Sequence, residues 1–187
     1  MKRFRKLGIG LVAFYLFLLI FDIYFRNQSL IDIAKLMGIG LLLIFAINIL
    51  GVILYTALPK RENLAETNRR DSVDEMIKEI AENEKWLQEV VVLSSIEELF
   101  FRGPLYIVLL FLELPWLMWT FIIIADGIIF GYMHFRESPF LSNFITHGIK
   151  GTLLSWLAIA SGSLVPAIFC HLFPNLIWMS LFRWAEK

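Results

Sequence analysis

The sequence predicts an all-α integral membrane protein that crosses the bilayer about six times, with a cytoplasmic amphipathic helix before the third span. Two observations favour this fold class. The chain is 58% hydrophobic and 15% aromatic but only 18% charged, whereas soluble domains carry about 25% charged residues. The apolar residues are also clustered into runs close to the length of about 20 residues that a membrane helix needs.

Six apolar runs are predicted as the spans. They cover approximately residues 7–25, 36–58, 88–112, 115–134, 141–160 and 164–182. The first run is longer than the core of a signal peptide and no small-x-small cleavage site follows it, so we interpret it as an uncleaved helix. In the third run Pro104 lacks an N–H, which predicts a kink or a loosened turn. No second domain is visible in the sequence, so residues 1–187 are predicted to form a single membrane domain.

The segment 59–87 is the long polar stretch between the second and third spans, and it is predicted as a cytoplasmic linker. From Ser72 onward, apolar residues recur at helical spacing, at Val73, Met76, Ile77 and Ile80. This pattern indicates an amphipathic helix, which either lies on the membrane surface or is solvated in the cytoplasm. Both interpretations are open from the sequence.

The distribution of basic residues predicts the orientation. With the N-terminus inside, the outer side carries only Arg26 and Lys35, whereas the cytoplasmic segments carry the four N-terminal basic residues, the six of the stretch 59–89, Arg136, Arg183 and Lys187. We therefore expect both termini in the cytoplasm of a multi-pass protein, and the short basic-flanked N-terminus favours a bacterial plasma membrane. The formal net charge is zero and no basic stripe is present, so the lipid bilayer is the expected partner and nucleic acid is not.

Polar side chains inside the apolar runs are the feature that points to function. An ionisable group at membrane depth costs roughly 2.5–3.5 kcal/mol on insertion scales, so such groups mark functional sites. Six such residues lie within the apolar runs: Glu97, Glu98, Arg102, His134, His171 and Asn175. The third, fourth and sixth runs bring the two acids, the two histidines and the asparagine into the inner half of the bilayer.

Helical spacing divides these residues into roles. Glu98 and Arg102 are i,i+4 and share one helix face, which predicts a supporting ion pair. Glu97 is turned about 100° from Glu98 and is expected to face the cavity instead, with His134 nearby. A carboxylate beside an imidazole in a partly dry pocket can act as a general base. His171 and Asn175, also i,i+4, could donate hydrogen bonds to an oxyanion.

These residues carry a family resemblance in three motifs, namely Glu97-Glu98-x-x-x-Arg102, Phe130-x-x-x-His134 and His171-x-x-x-Asn175. Together they resemble the signature of the CAAX prenyl endopeptidase and bacteriocin-processing (Abi-like) family of intramembrane glutamate proteases. The resemblance covers about residues 88–180, the protease-like core. It implies a membrane-embedded endopeptidase without a cofactor, in which the first glutamate and the first histidine activate water and the later histidine and asparagine form the oxyanion site. By this resemblance Glu97, His134, His171 and Asn175 are the expected catalytic residues, and Glu98, Arg102 and Phe130 support them.

Other functions remain open from the sequence. Two histidines and a glutamate could bind zinc, which would activate the water instead. A non-catalytic peptide-binding or bacteriocin-immunity protein, or a transporter or proton relay, would also use polar groups at membrane depth. The substrate is expected to be a peptide or a membrane-protein segment. His147 is interpreted as a helix-packing or inner-surface group, and Asp126, an otherwise unexplained acid, could orient His134.

Overall fold

The computed structural model describes residues 29–57, 86–137 and 141–185, together with the isolated positions 16, 17 and 20. Within these residues the protein is all-helical and has five helices. They are α1 (Leu30–Ala57), α2 (Trp86–Phe111), α3 (Trp116–Glu137), α4 (Leu141–Ser161) and α5 (Val165–Ala185). The all-α prediction is confirmed for this part of the chain.

The predicted number of spans is only partly reflected in the described residues. Two helices, α1 and the Trp116–Phe135 part of α3, are long and apolar enough to cross a membrane. Helices α2, α4 and α5 have 26, 21 and 21 residues, which is also close to the length of about 20 residues that a span needs. The first predicted span, 7–25, lies almost wholly outside the described residues, and the predicted amphipathic helix in 59–87 lies outside them except for its last two positions. Six spans therefore stay a prediction.

The distribution of polar and apolar side chains is inverted relative to a soluble protein. Glu98 and Arg102 are completely buried, whereas Leu42 and Phe111 are 74% and 79% exposed. Large exposed apolar surfaces are normally covered by another molecule, and for helices of this composition the covering molecule is lipid. These two charged groups thus form part of the core, and large apolar side chains cover its outside.

Small residues bring α3 and α4 into close contact. A Cβ atom added to Gly131 would lie 2.6 Å from the carbonyl oxygen of Phe144 and 2.9 Å from Cα of Gly148. A Cβ atom added to Gly127 would meet the carbonyl oxygen of Gly148 at 2.7 Å. Glycines four residues apart let two helix backbones approach in this way. The sequence contains this Gly127-x-x-x-Gly131 pattern, which is the signal by which the contact could have been anticipated.

The turn between α4 and α5 is a Schellman motif. Gly162 has a φ of 62°, a left-handed conformation that glycine adopts without steric cost. The N–H of Gly162 donates to the carbonyl of Ile159 at 3.1 Å, and the N–H of Ser163 donates to the carbonyl of Ala158 at 3.1 Å. Ser163 Oγ then accepts from the N–H of Val165, which caps α5. This turn sets the start of the helix that carries His171 and Asn175.

The apolar core lies where α1, α4 and α5 meet. Its fully buried members include Ile44, Leu154, Leu157 and Ala167. α2 continues through Gly103 and Pro104 to Phe111, so the proline does not end the helix. An open apolar groove of about 570 Å³ lies between α1, α3 and α4, and none of the predicted site residues lines it.

Candidate active site

The ring of Phe130 lies at the centre of the polar cluster. It is completely buried in α3. The guanidinium carbon of Arg102 lies 4.5 Å from the ring centroid, a cation–π distance. The imidazole centroids of His134, His171 and His147 lie 4.4, 6.0 and 6.3 Å from it. The chain contains three histidines, and the fold therefore gathers all of them around one aromatic ring.

Arg102 joins three helices from a completely buried position. Its Nη1 lies 3.2 Å from Oε1 of Glu98 on the same helix, as the i,i+4 spacing predicts. Nη2 donates to the carbonyl of Gly151 on α4 at 3.0 Å, and Nε lies 3.4 Å from Oδ2 of Asp126 on α3. Asp126 also accepts a short hydrogen bond from Ser155. The acid that the sequence left unexplained thus faces Arg102 and Ser155.

The imidazole of His171 connects the two adjacent acids of α2. Its Nδ1 lies 2.7 Å from Oε1 of Glu98, and its Nε2 lies 3.5 Å from Oε2 of Glu97. Because an ionised carboxylate can only accept, Nδ1 is the donor to Glu98. The sequence predicts that Glu97 and Glu98 face different directions, but both reach the same ring, from its opposite nitrogens. Glu98 therefore contacts His171 directly in addition to pairing with Arg102.

The two acids differ in their access to solvent. The side chain of Glu98 is fully buried, whereas that of Glu97 is 40% exposed. Glu97 also has a basic residue within electrostatic range, Lys150 of α4, which the sequence did not indicate because the two are 53 positions apart. Of the two carboxylates, Glu97 is the one that water and a substrate can reach.

His134 lies in the last turn of α3, beside Phe130. Its Nδ1 lies 2.9 Å from the carbonyl oxygen of Phe130, so this nitrogen donates and Nε2 is left as the acceptor of a neutral ring. Its ring stacks on that of His147. The structure of the described residues has no hydrogen bond or ion pair between His134 and Glu97. The carboxylate of Glu97 therefore contacts His171 and not His134, the neighbour that the sequence predicts.

Asn175 is positioned by a serine that the motifs do not include. Its Nδ2 donates to Oγ of Ser94 on α2 at 3.0 Å, and Ser94 is buried. Ser94 lies one turn before Glu98, so the same face of α2 contacts both motif residues of α5. An i−4 serine before a buried acid is a signal that could have identified it.

Zinc binding would require three protein ligands around one point. Among the residues that the structure describes, no group of three or more His, Cys, Asp or Glu side chains has an arrangement that could hold a metal ion. Cys170, adjacent to His171 in sequence, donates instead to the carbonyl of Met37 at 3.3 Å.

One family model matches this part of the chain. The model of the type II CAAX prenyl endopeptidase Rce1-like family covers residues 85–177, a range that contains every site residue described above. Residues 85–177 belong to the Rce1-like family. This confirms the resemblance carried by the three motifs. No significant match is found among curated proteins or among solved structures.

Membership of the Rce1-like family determines the general class of the protein. The family is one of proteases, so the chain is assigned to the hydrolases. Together with the two long apolar helices, the family also identifies a membrane protein. The polar cluster around Phe130 lies inside the matched range and is the candidate active site.

Proposed function

We propose that this protein is a membrane-embedded endopeptidase that hydrolyses a peptide bond in the inner half of the bilayer, with a carboxylate as general base. The observation that carries the proposal is the unequal environment of two adjacent acids. Glu98 is buried and held by Arg102 and His171, whereas Glu97 is 40% exposed beside the same imidazole. A partly exposed carboxylate within a buried polar cluster is suited to abstract a proton from water.

The hydrogen-bond donors and acceptors of the cluster support the following mechanism. Glu97 takes a proton from water as its oxygen forms a bond to the carbonyl carbon of the substrate, with Nε2 of His134 accepting a hydrogen bond that orients the water. The carbonyl oxygen becomes an oxyanion, to which the amide of Asn175 and Nε2 of His171 donate. Nδ1 of His171 already donates to Glu98, so Nε2 donates to the oxyanion from the doubly protonated ring, in which both nitrogens carry protons. Glu97 then returns the proton to the leaving nitrogen as the carbon–nitrogen bond breaks.

The substrate in this proposal is a peptide or a segment of another membrane protein. The family name refers to prenylated CAAX sequences. A bacterial plasma membrane, with both termini of the protein in the cytoplasm, would argue against a prenylated substrate, because bacteria generally lack that modification. We therefore expect an unprenylated segment that enters from the cytoplasmic side.

The membrane peptidomes of cells that carry wild-type protein or Glu97→Gln test this function. Glu97→Gln keeps the size of the side chain but removes the basic carboxylate. Glu113→Gln is the matched control, because Glu113 is an exposed acid in the connection between α2 and α3. Cleavage products should appear with wild type and the control and be absent with Glu97→Gln. The same products with Glu97→Gln would overturn Glu97 as the general base, and a full biological effect without cleavage products would indicate a binding or immunity protein instead.

A further inference from the structure

Helix α4 contributes no residue to the three family motifs, yet it forms one wall of the candidate site. The motif residues lie on α2, α3 and α5. From α4, His147 stacks on His134 with ring centroids 4.2 Å apart and an angle of 11° between the ring planes. His147 also lies within electrostatic range of His171 and of Lys150. The sequence suggested helix packing or an inner-surface position for His147, and the helix that it packs against is the one that carries His134.

The two stacked rings make equivalent hydrogen bonds. Nδ1 of His147 lies 2.9 Å from the carbonyl oxygen of Asn143, and Nδ1 of His134 lies 2.9 Å from that of Phe130. Because a carbonyl oxygen can only accept, both Nδ1 atoms carry protons. In the neutral rings, each Nε2 is therefore an acceptor. A hydrogen bond on one nitrogen of an imidazole determines which tautomer the other nitrogen presents.

We propose that His147 is a positioning residue for His134, an inference that rests on the proposed function. Its ring holds the imidazole of His134 beside Phe130, in the tautomer with the proton on Nδ1, so that Nε2 remains directed to the water that Glu97 activates. The candidate site then includes α4, because His147 contacts His134 from a different helix.

The position of His134 explains why it needs this contact. It is half-buried and lies in the last turn of α3, where its hydrogen bond is to the backbone of the same helix. Because this bond lies within α3, it does not fix the position of the His134 ring relative to the other helices. The flat ring of His147, anchored on α4, limits rotation of the imidazole. Misplacing a catalytic group by about 1 Å can lower the rate by about 10²-fold.

Nuclear magnetic resonance of ¹⁵N-histidine-labelled protein in nanodiscs tests the proposal without depending on a known substrate. The chain has three histidines, so three imidazoles contribute to the spectrum. Wild-type His134 should show one tautomer, protonated at Nδ1, and through-space contacts with the ring of His147. A mixture of tautomers, or the absence of these contacts, would overturn the proposal, whether or not the protein is a protease.

Two variants separate positioning from simple filling of space. H147L fills a comparable volume without a flat ring, whereas H147F restores a ring that can stack. With H147L we expect a mixture of His134 tautomers and a kcat lowered about tenfold or more at an unchanged KM, and with H147F a largely restored single tautomer and kcat. The control, Ile149→Leu, alters an exposed residue of the same helix.

The outcomes distinguish this inference from the proposed function. A single His134 tautomer that is retained in H147L, or a kcat equal to that of the control, would show that His147 only packs. If the His134 resonances respond as expected but no cleavage is detected in any form of the protein, His147 positions His134 and the protease function fails. His171 should keep its proton on Nδ1 in H147L, because Glu98 holds that nitrogen independently.

Discussion

Nδ1 of His171 lies 2.7 Å from Oε1 of Glu98, and the same carboxylate oxygen lies 3.2 Å from Nη1 of Arg102. Glu98 therefore connects a fully buried cation to a site imidazole. This relationship separates the two acids of the first motif by their contacts, because Glu97 reaches only the other nitrogen of the same ring. Glu98 both supports the fold and orients His171.

Replacing Glu98 by glutamine should lower stability more than the same change at the partly exposed Glu97. Arg102 would lose one of its two carboxylate partners while remaining buried. Breaking a buried ion pair costs about 3–5 kcal/mol, so we expect the free energy of unfolding in mixed micelles to fall by about 3 kcal/mol. Glu113→Gln, an exposed change of the same kind, should leave it unaltered. Equal stabilities of the two variants would refute a supporting role for Glu98.

Replacing Arg102 by lysine should also destabilise the protein, although the charge is kept. One ammonium group cannot serve Glu98, the carbonyl of Gly151 and Asp126 with the geometry of a guanidinium. Each lost hydrogen bond to a charged group is worth about 1.5–3 kcal/mol, and we expect a loss of about 2 kcal/mol in the same unfolding measurement. Lys35→Arg, an exposed exchange between the same two residue types, serves as the control. A variant as stable as wild type would show that charge alone is required.

Replacing Gly131 by alanine should force α3 and α4 apart. The new Cβ would lie 2.6 Å from the carbonyl oxygen of Phe144, a backbone atom that cannot move aside by rotation. Overpacking of this kind costs about 1–3 kcal/mol, and proteolytic activity should fall because His134 lies on the displaced helix. Gly38→Ala is the matched control, since a Cβ there has no neighbour within 4 Å. The prediction fails if the two alanine variants have the same stability and activity.

Replacing Ser94 by alanine should impair catalysis with little effect on folding. The variant removes the hydroxyl that accepts from Nδ2 of Asn175, so the amide is no longer held toward the oxyanion. A hydrogen bond of this kind contributes about 1 kcal/mol, which corresponds to a kcat lowered about fivefold to tenfold. Ser180→Ala, which removes an exposed hydroxyl of α5, should leave kcat unchanged. An unchanged kcat in Ser94→Ala would exclude Ser94 from the positioning of Asn175.

Treatment with a strong chelator should not reduce activity. In the proposed mechanism Glu97 activates the water without a metal, and the purified protein should hydrolyse its substrate at the same rate before and after dialysis against chelator. Elemental analysis of the dialysed protein provides the control for metal removal. Loss of activity that is restored by zinc would instead favour the zinc-dependent alternative.

The contacts within single helices were predictable from the sequence. The pairing of Glu98 with Arg102 and the contact of Phe130 with His134 follow from i,i+4 spacing, because residues four apart lie on one helix face. The apolar runs likewise indicated α1 and α3, since about 20 apolar residues suffice for a span. The family resemblance depended on the same local spacings.

The contacts between helices were not predictable in this way. The sequence placed Glu97 and Glu98 about 100° apart, but it did not specify which neighbouring helix each would face. His147, Ser94 and Lys150 carry no motif, and their proximity to the site depends on contacts between distant parts of the chain. His147 in particular reaches His134 because α4 lies against the glycines of α3.

The sequence by itself thus determined which polar residues share a helix face, and it predicted that they lie at membrane depth. Only the tertiary structure decided that Glu97 and Glu98 both contact His171 and that α4 brings His147 to His134. The physical reason is that a helix defines the directions of its own side chains, whereas its rotation about its axis is set by packing. Here that packing includes the contact of Gly131 with Gly148 and the contacts of Arg102 with Gly151 on α4 and Asp126 on α3.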